Sequence, residues 1–170
     1  LTGTAYFSKC GRYRYRLTRN WEGLPLFYRA SKPAVFIGLN PSTANSRTDD
    51  PTIRRCVGFA KEWGCGGIVM VNLFALVSAD PQKLITEYNP VGRPENDSIL
   101  DAATWLEGAV VVACWGAFRQ AKARAAEVAA RLGDRGLQCL GTNADGSPKH
   151  PLYLPKGTPL VPFGGAEVRP

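Results

Sequence analysis

The stretch "VFIGLNPSTANSRTDDPTIRRC", residues 35–56, decides how this chain folds. An apolar run stops at Gly38. An asparagine, a proline and small hydroxyl side chains follow, then two acids and an arginine-bearing helix start. Residues 34–38, AVFIG, are too short and too uniformly apolar for anything but a strand buried on both faces. Asp50 or Thr52 is placed to cap a helix that runs to about Trp63. The unit is therefore strand, loop, helix. Within the loop, Gly38 permits close backbone approach, and Pro41 fixes a turn while removing a donor. Asn40, Ser42, Thr43 and Asn45 offer hydrogen bonds but no ionisable group. The loop lacks the GK pair and glycine spacing of a Walker loop. A tight strand-to-helix turn is the plainer reading, and a ligand loop is the alternative.

Outward from this unit the same grammar repeats. GGIVMVNLF, residues 66–74, is a second buried strand, AVVVACWG a third and GLQCLG a fourth. DPQKLITEY reads as a short helix, NDSILDAATWLEG as another capped by Asn96, Asp97 or Ser98, and AFRQAKARAAEVAARLG as an amphipathic helix that stops at Gly133. Strands alternating with helices imply a three-layer αβα sandwich around a central, mainly parallel four-stranded sheet. At the N-terminus "RYRYRL" has period two and Trp21–Gly23 looks like a turn. Residues 5–29 are thus expected to form a β-hairpin with Arg12, Arg14 and Arg16 on one face and Tyr13, Tyr15 and Leu17 on the other. Its basic face suits phosphate contacts, or equally the charged edge that deters aggregation. The tail after Pro155 reads as loop. No repeat or linker divides the chain, so residues 1–170 are expected to be one domain.

In such folds ligands bind beyond the carboxyl ends of the strands. Three conspicuous segments fall there: GLNPSTAN, Asn72 and KHPLYLP. Asn72 sits inside an apolar segment, where an unpartnered amide costs about 1–3 kcal/mol. Its acceptor and donor pair suits the edge of an amide-like ring, or a backbone partner at a strand end. His150, the single histidine, is held extended by the following proline and could donate to a leaving group or act as a general acid. Asp50 is most simply a helix cap. Arg54 and Arg55 reach a phosphate or lie solvated on the helix.

The net charge of +7, from 21 basic and 14 acidic residues, favours acidic partners, above all nucleic acid, unless the basic surface serves solubility. Cys10, Cys56, Cys65, Cys114 and Cys139 are odd in number and form no CxxC, so neither a metal site nor a cofactor is expected, and reduced thiols suggest a cytoplasmic protein. No apolar run approaches the roughly 20 residues of a membrane span and no signal peptide is read. Leu1 is not an initiator, so the chain is expected to be trimmed at its start.

From residue 34 to about residue 155 the sequence resembles the uracil-DNA glycosylase superfamily. VFIGLNPS is similar to the first active-site motif, GINPG or GMNPG, of the mismatch-specific and single-strand-selective branches. VMVNLFAL resembles the strand bearing the base-reading asparagine. AVVVACWGAFRQA resembles the strand and helix before the second motif. KHPLYLP resembles that motif, HPSPLS or HPAYL. The combination GLNPSTA, DDPTIRRC and HPLYL also looks like a bacterial and phage domain family. The resemblance implies a DNA glycosylase that flips a modified or mismatched base and cleaves its N-glycosidic bond. It makes Asn40 and His150 catalytic, Asn40 positioning water and His150 stabilising the departing base. Gly38, Leu39, Pro41, Ser42, Thr43, Asn72, Phe74 and Tyr153 would surround the base, with Phe74 or Tyr153 replacing the usual stacking aromatic. Arg12, Arg14, Arg54, Arg55 and Lys149 would meet DNA. The chain departs from the pattern where Asn40 stands in place of the aspartate of the most active branch. It also lacks the cysteines of the iron–sulfur branch. The competing expectations are an enzyme of free nucleotides or nucleosides and a non-catalytic nucleic-acid binding module. A monomer is expected.

Overall fold

The computed structural model describes residues 2–23, 32–133 and 135–164. The sheet has seven strands: β1 (Thr2–Phe7), β2 (Arg14–Asn20), β3 (Ala34–Gly38), β4 (Gly67–Asn72), β5 (Val110–Ala113), β6 (Gln138–Cys139) and β7 (Val161–Pro162). The helices are α1 (Pro51–Glu62), α2 (Lys83–Thr86), α3 (Glu95–Thr104) and α4 (Lys122–Leu132). The spatial order is β1-β2-β4-β3-β5-β6-β7. β4, β3, β5 and β6 pair in parallel, while β1, β2 and β7 add antiparallel strands. The α/β class read from the sequence holds. The expected four-stranded sheet does not, because the N-terminal hairpin joins the sheet through β2 rather than standing beside it, and the tail supplies β7.

Alternation along the inner strands divides the core. Val35, Ile37, Val69, Val71, Val111 and Ala113 face α3 and α4. Ala34, Phe36, Ile68, Met70, Val112 and Cys114 face α1. Both sides of β3 and β4 are sealed, so neither strand carries a polar side chain before Asn72. α1 begins where Asp50 Oδ1 accepts the Ile53 N–H at 2.9 Å and Pro51 occupies the first turn. Its Ile53, Cys56, Phe59 and Ala60 form the buried stripe. α3 starts one residue before the predicted caps, and Asn96 is buried rather than a cap.

Residues 21–23 form a bend where a turn was expected, but the hairpin of the described residues is β1 with β2, joined through residues 8–13. The part of that prediction beyond Gly23 lies outside the described residues. The even alternation of arginine and tyrosine also breaks. Tyr6 pairs with Arg16 and Phe7 with Arg14, so Tyr15 is an extra residue in the ladder. Such a bulge re-aims the side chains beyond it. Tyr13 and Tyr15 therefore stack on one face, 6.2 Å between centroids. Arg14 joins Arg19 on the face that carries α1, and both are buried, 2% and 3% exposed.

These two arginines hold the loop between β3 and α1. Arg19 Nε donates to Asp49 Oδ1 at 2.7 Å, its Nη2 to Asn45 O at 2.5 Å and Thr48 O at 3.3 Å, and its Nη1 to Thr18 O at 2.7 Å. Arg14 Nη1 donates to Ala44 O at 2.7 Å. Gly3, opposite Arg19 in the ladder, makes the room: a Cβ there would lie 2.6 Å from Arg19 Nη1. Arg19→Met is expected to destabilise the protein by about 3 kcal/mol, as for breaking a buried ion pair. Urea unfolding measures it, and a loss under about 1 kcal/mol would show that the loop is held by other means.

Candidate functional site

β3 is the point where the sheet order reverses, with β4 on one side and β5 on the other. A crevice is expected beyond the carboxyl ends of the strands at such a point. A cleft of about 520 Å³ lies there, lined by the ends of all three strands at Gly38, Asn72 and Cys114. That volume suits a nucleoside-sized ligand.

Asn72 forms one wall. It ends β4 beside Gly38 of β3, its parallel partner. The side chain is 3% exposed, and its Nδ2 has no hydrogen-bond partner among the described residues. Gly38 is needed for space rather than for its dihedral: a Cβ there would stand 2.7 Å from Asn72 Oδ1. The backbone behind Asn72 is fixed from α3 and α4. Asn96 Nδ2 donates to Asn72 O at 3.1 Å and Leu73 O at 3.3 Å, and Arg124 Nε donates to Leu73 O at 3.0 Å. Arg124 is itself anchored by Asp97 at 2.5 Å.

Asn40 forms the second wall. Its Nδ2 donates to Ser78 O at 2.8 Å, Pro41 O at 3.1 Å and Leu76 O at 3.4 Å. The donor half of the amide is spent on backbone, so toward a ligand the side chain offers Oδ1, an acceptor. It can orient a water but cannot take its proton. Asp50 can. It lines the cleft, and only its Oδ1 is committed to the α1 cap.

His150 closes the mouth from the loop before a short 3-10 turn, Pro151–Tyr153. The Leu152 N–H donates to His150 Nδ1 at 3.3 Å. The neutral ring then carries its proton on Nε2, which makes that nitrogen a donor. Burial pushes the His150 pKa below its usual 6.5, partly opposed by the Asp50 charge. Tyr153, 81% exposed, stands at the rim with its ring 5.7 Å from the imidazole.

The cleft thus brings together Gly38, Leu39, Asn40, Ser42, Asn72, His150 and Tyr153 of the residues read from sequence, with Arg14 added from the hairpin. Arg14 is not the exposed phosphate contact foreseen, since the bulge turns it inward. Pro41, Thr43 and Phe74 do not line the cleft. Phe74 packs in the core between the sheet and α3 and α4. Arg12 pairs with Glu87 at 2.7 Å. Arg54 Nη1 donates to Asp49 O at 2.6 Å. Arg55 donates to Leu154 O and covers the Phe59 ring at 4.9 Å. Lys149 is exposed outside the cleft. Three lining residues carried weak signals in sequence: Asp50 was visible only as a cap, and Trp115 and Phe118 only as part of a strand end and a helix start.

A family model described as "Protein of unknown function (DUF1643)" matches residues 14–152. No curated protein and no solved structure matches the chain.

Two outcomes follow from this geometry. Gly38→Ala is expected to cost about 1–3 kcal/mol by overpacking, and Asn72→Ala in the same chain should recover most of it. Additive losses in thermal unfolding would mean that the two side chains do not compete for space. For His150, the folded pKa lies below the unfolded one, so its contribution to stability is complete above pH 6.5 and is lost as pH falls through the lower folded value. His150→Gln should therefore show a shallower fall in Tm between neutral pH and pH 5 than the parent, and parallel curves would contradict the assignment.

Proposed function

The chain belongs to the DUF1643 family, and we propose that it binds a flipped, modified or mismatched base in DNA and hydrolyses its N-glycosidic bond. The observation that carries this reading is the buried Asn72 amide in the cleft wall, whose unpaired Nδ2 costs stability unless a ligand supplies an acceptor. An amide next to its own free edge suits a pyrimidine-like ring with a carbonyl beside a ring nitrogen. The parallel strands β4, β3, β5 and β6 with helices on both faces agree with the αβα arrangement of the uracil-DNA glycosylase superfamily that the motifs resemble.

In this reading Asn72 holds the base edge and Asn40 Oδ1 orients a water. The water oxygen bonds to the anomeric carbon as the C–N bond breaks. Asp50 Oδ2 takes the water proton, which an amide at position 40 cannot do. The electron pair of the broken bond passes to the base, where His150 Nε2–H stabilises it. The products are an abasic sugar and the base anion, which is protonated from solvent as Asp50 gives up the proton it took from water. Trp115 and Phe118, rather than Phe74, supply apolar wall near the ring. The positive surplus attracts the DNA strand.

The test is base release from oligonucleotides carrying a panel of modified pyrimidines, followed by mass spectrometry. Release is expected from the parent. It should fall by about 100-fold or more in His150→Ala and in Asp50→Asn, the latter keeping the helix cap because Asn caps as well as Asp. No release across the panel, with nucleosides binding independently of salt, would replace this reading by an enzyme of free nucleotides.

A further inference from the structure

Two arginines of β2 reach the same face and are equally buried, yet they are satisfied very differently. Arg19 donates to four carbonyl or carboxylate oxygens and is paired with Asp49 at 2.7 Å. Arg14 donates one hydrogen bond to Ala44 O among the described residues, and its buried Nε has no partner. A guanidinium carries five N–H donors. No carboxylate of the described residues lies within ion-pair distance of Arg14. Arg14 lines the cleft and Arg19 does not.

We propose that Arg14 is the anion-binding group of the cleft, and that the ligand brings a phosphate or carboxylate against this buried guanidinium. An uncompensated buried charge is costly, and a partner that binds only the folded protein can supply the missing compensation. Burial pulls the Arg14 pKa down to about 10, with Asp50 working to raise it and Arg19 to lower it further. The other sealed, unpaired atom of the cleft wall is also a donor, Asn72 Nδ2, and His150 offers Nε2–H. Two sealed donors without acceptors among the described residues, with the His150 Nε2–H beside them, describe a site for an oxygen-rich group. Asp50 is the opposing charge. It offsets only part of the demand, since one of its oxygens serves the α1 cap. A planar guanidinium suits the paired oxygens of either anion. The anion is either the 5′-phosphate of a nucleotide or an acidic substituent on the base. The identity of the remainder as a nucleotide rests on the function proposed above, whereas the anion site does not.

Calorimetric titration with matched probes tests this. Deoxyuridine is compared with deoxyuridine 5′-monophosphate, and separately with 5-carboxydeoxyuridine, with inorganic phosphate as the base-free probe. In the parent protein one anionic member should bind at least about tenfold tighter than deoxyuridine, and the pair that shows it locates the anion. The preference should vanish in Arg14→Met and in Arg14→Gln. The unliganded Tm of these variants should fall only by what the lost hydrogen bond to Ala44 O contributes, less than in Arg19→Met, because Arg14 has no carboxylate partner among the described residues. Equal binding within both pairs, absence of binding by every anionic probe, or a preference that survives both substitutions overturns the proposal. Stabilisation by phosphate that depends on Arg14, without binding of any nucleoside, would sustain the anion site and sink the base-binding reading.

Discussion

The loop between β3 and α1 has almost nothing apolar with which to hold itself. Pro41 and Ala44 are its only buried side chains. Its shape is imposed from β2, two strands away from β3, by guanidinium groups that donate to backbone carbonyls at positions 44, 45 and 48. Arginine suits this task because its donors form a rigid fork that can serve several oxygens at once, where a lysine would offer one point charge. The start of α1 and the position of Asp50 follow from that grip, while Asn40 is held by its own bonds to the Ser78, Pro41 and Leu76 carbonyls. The arginine grip also requires Gly3, whose missing side chain leaves the passage open.

The opposite wall is built by the same device from the other side of the sheet. Arg124, anchored by Asp97, and Asn96 capture the carbonyls at the end of β4 and hold Asn72 in place. The side chains that build the walls are thus tied off mainly on backbone. Among the side chains that line the space between them, Arg14 and Asn72 keep buried donors without a partner among the described residues. In a folded chain, buried polar atoms are nearly always paired, so two such donors in one cleft lining support the ligand roles proposed for them. Fold alone does not establish chemistry; the unpaired donors of the cleft are more specific than the fold that carries them.

Much of this was legible in sequence, for reasons that can be stated residue by residue. AVFIG, GIVMVN and VVVA read as strands sealed on both faces, and Asp50 or Thr52 read as the cap of a helix packed on them. Once the strands were placed, the switch-point rule brought Asn40, Asn72 and His150 to one mouth. The hairpin was misjudged because period-two alternation says nothing about a bulge. The one residue inserted at Tyr15 moves Arg14 from the presumed solvent face to the floor of the site. Phe74 was misplaced because the side-chain alternation of β4 fails just beyond its end, where Leu73 and Phe74 both enter the same core. Asp50 was read as a cap and nothing more, since a capping carboxylate has a second oxygen whose surroundings only the packed structure supplies. β7, two residues long, carries no pattern to detect.

The wall residues Arg14, Asn40, Asn72 and His150 come from widely separated parts of the chain. During synthesis the first of them leaves the ribosome long before the last. Arg14 must therefore wait, unpaired, through the emergence of every inner strand, and no shortened product ending before His150 can contain the finished mouth. Occupancy of the cleft consequently reports on synthesis of the chain from Arg14 to His150, because a molecule held there clasps those separated segments together.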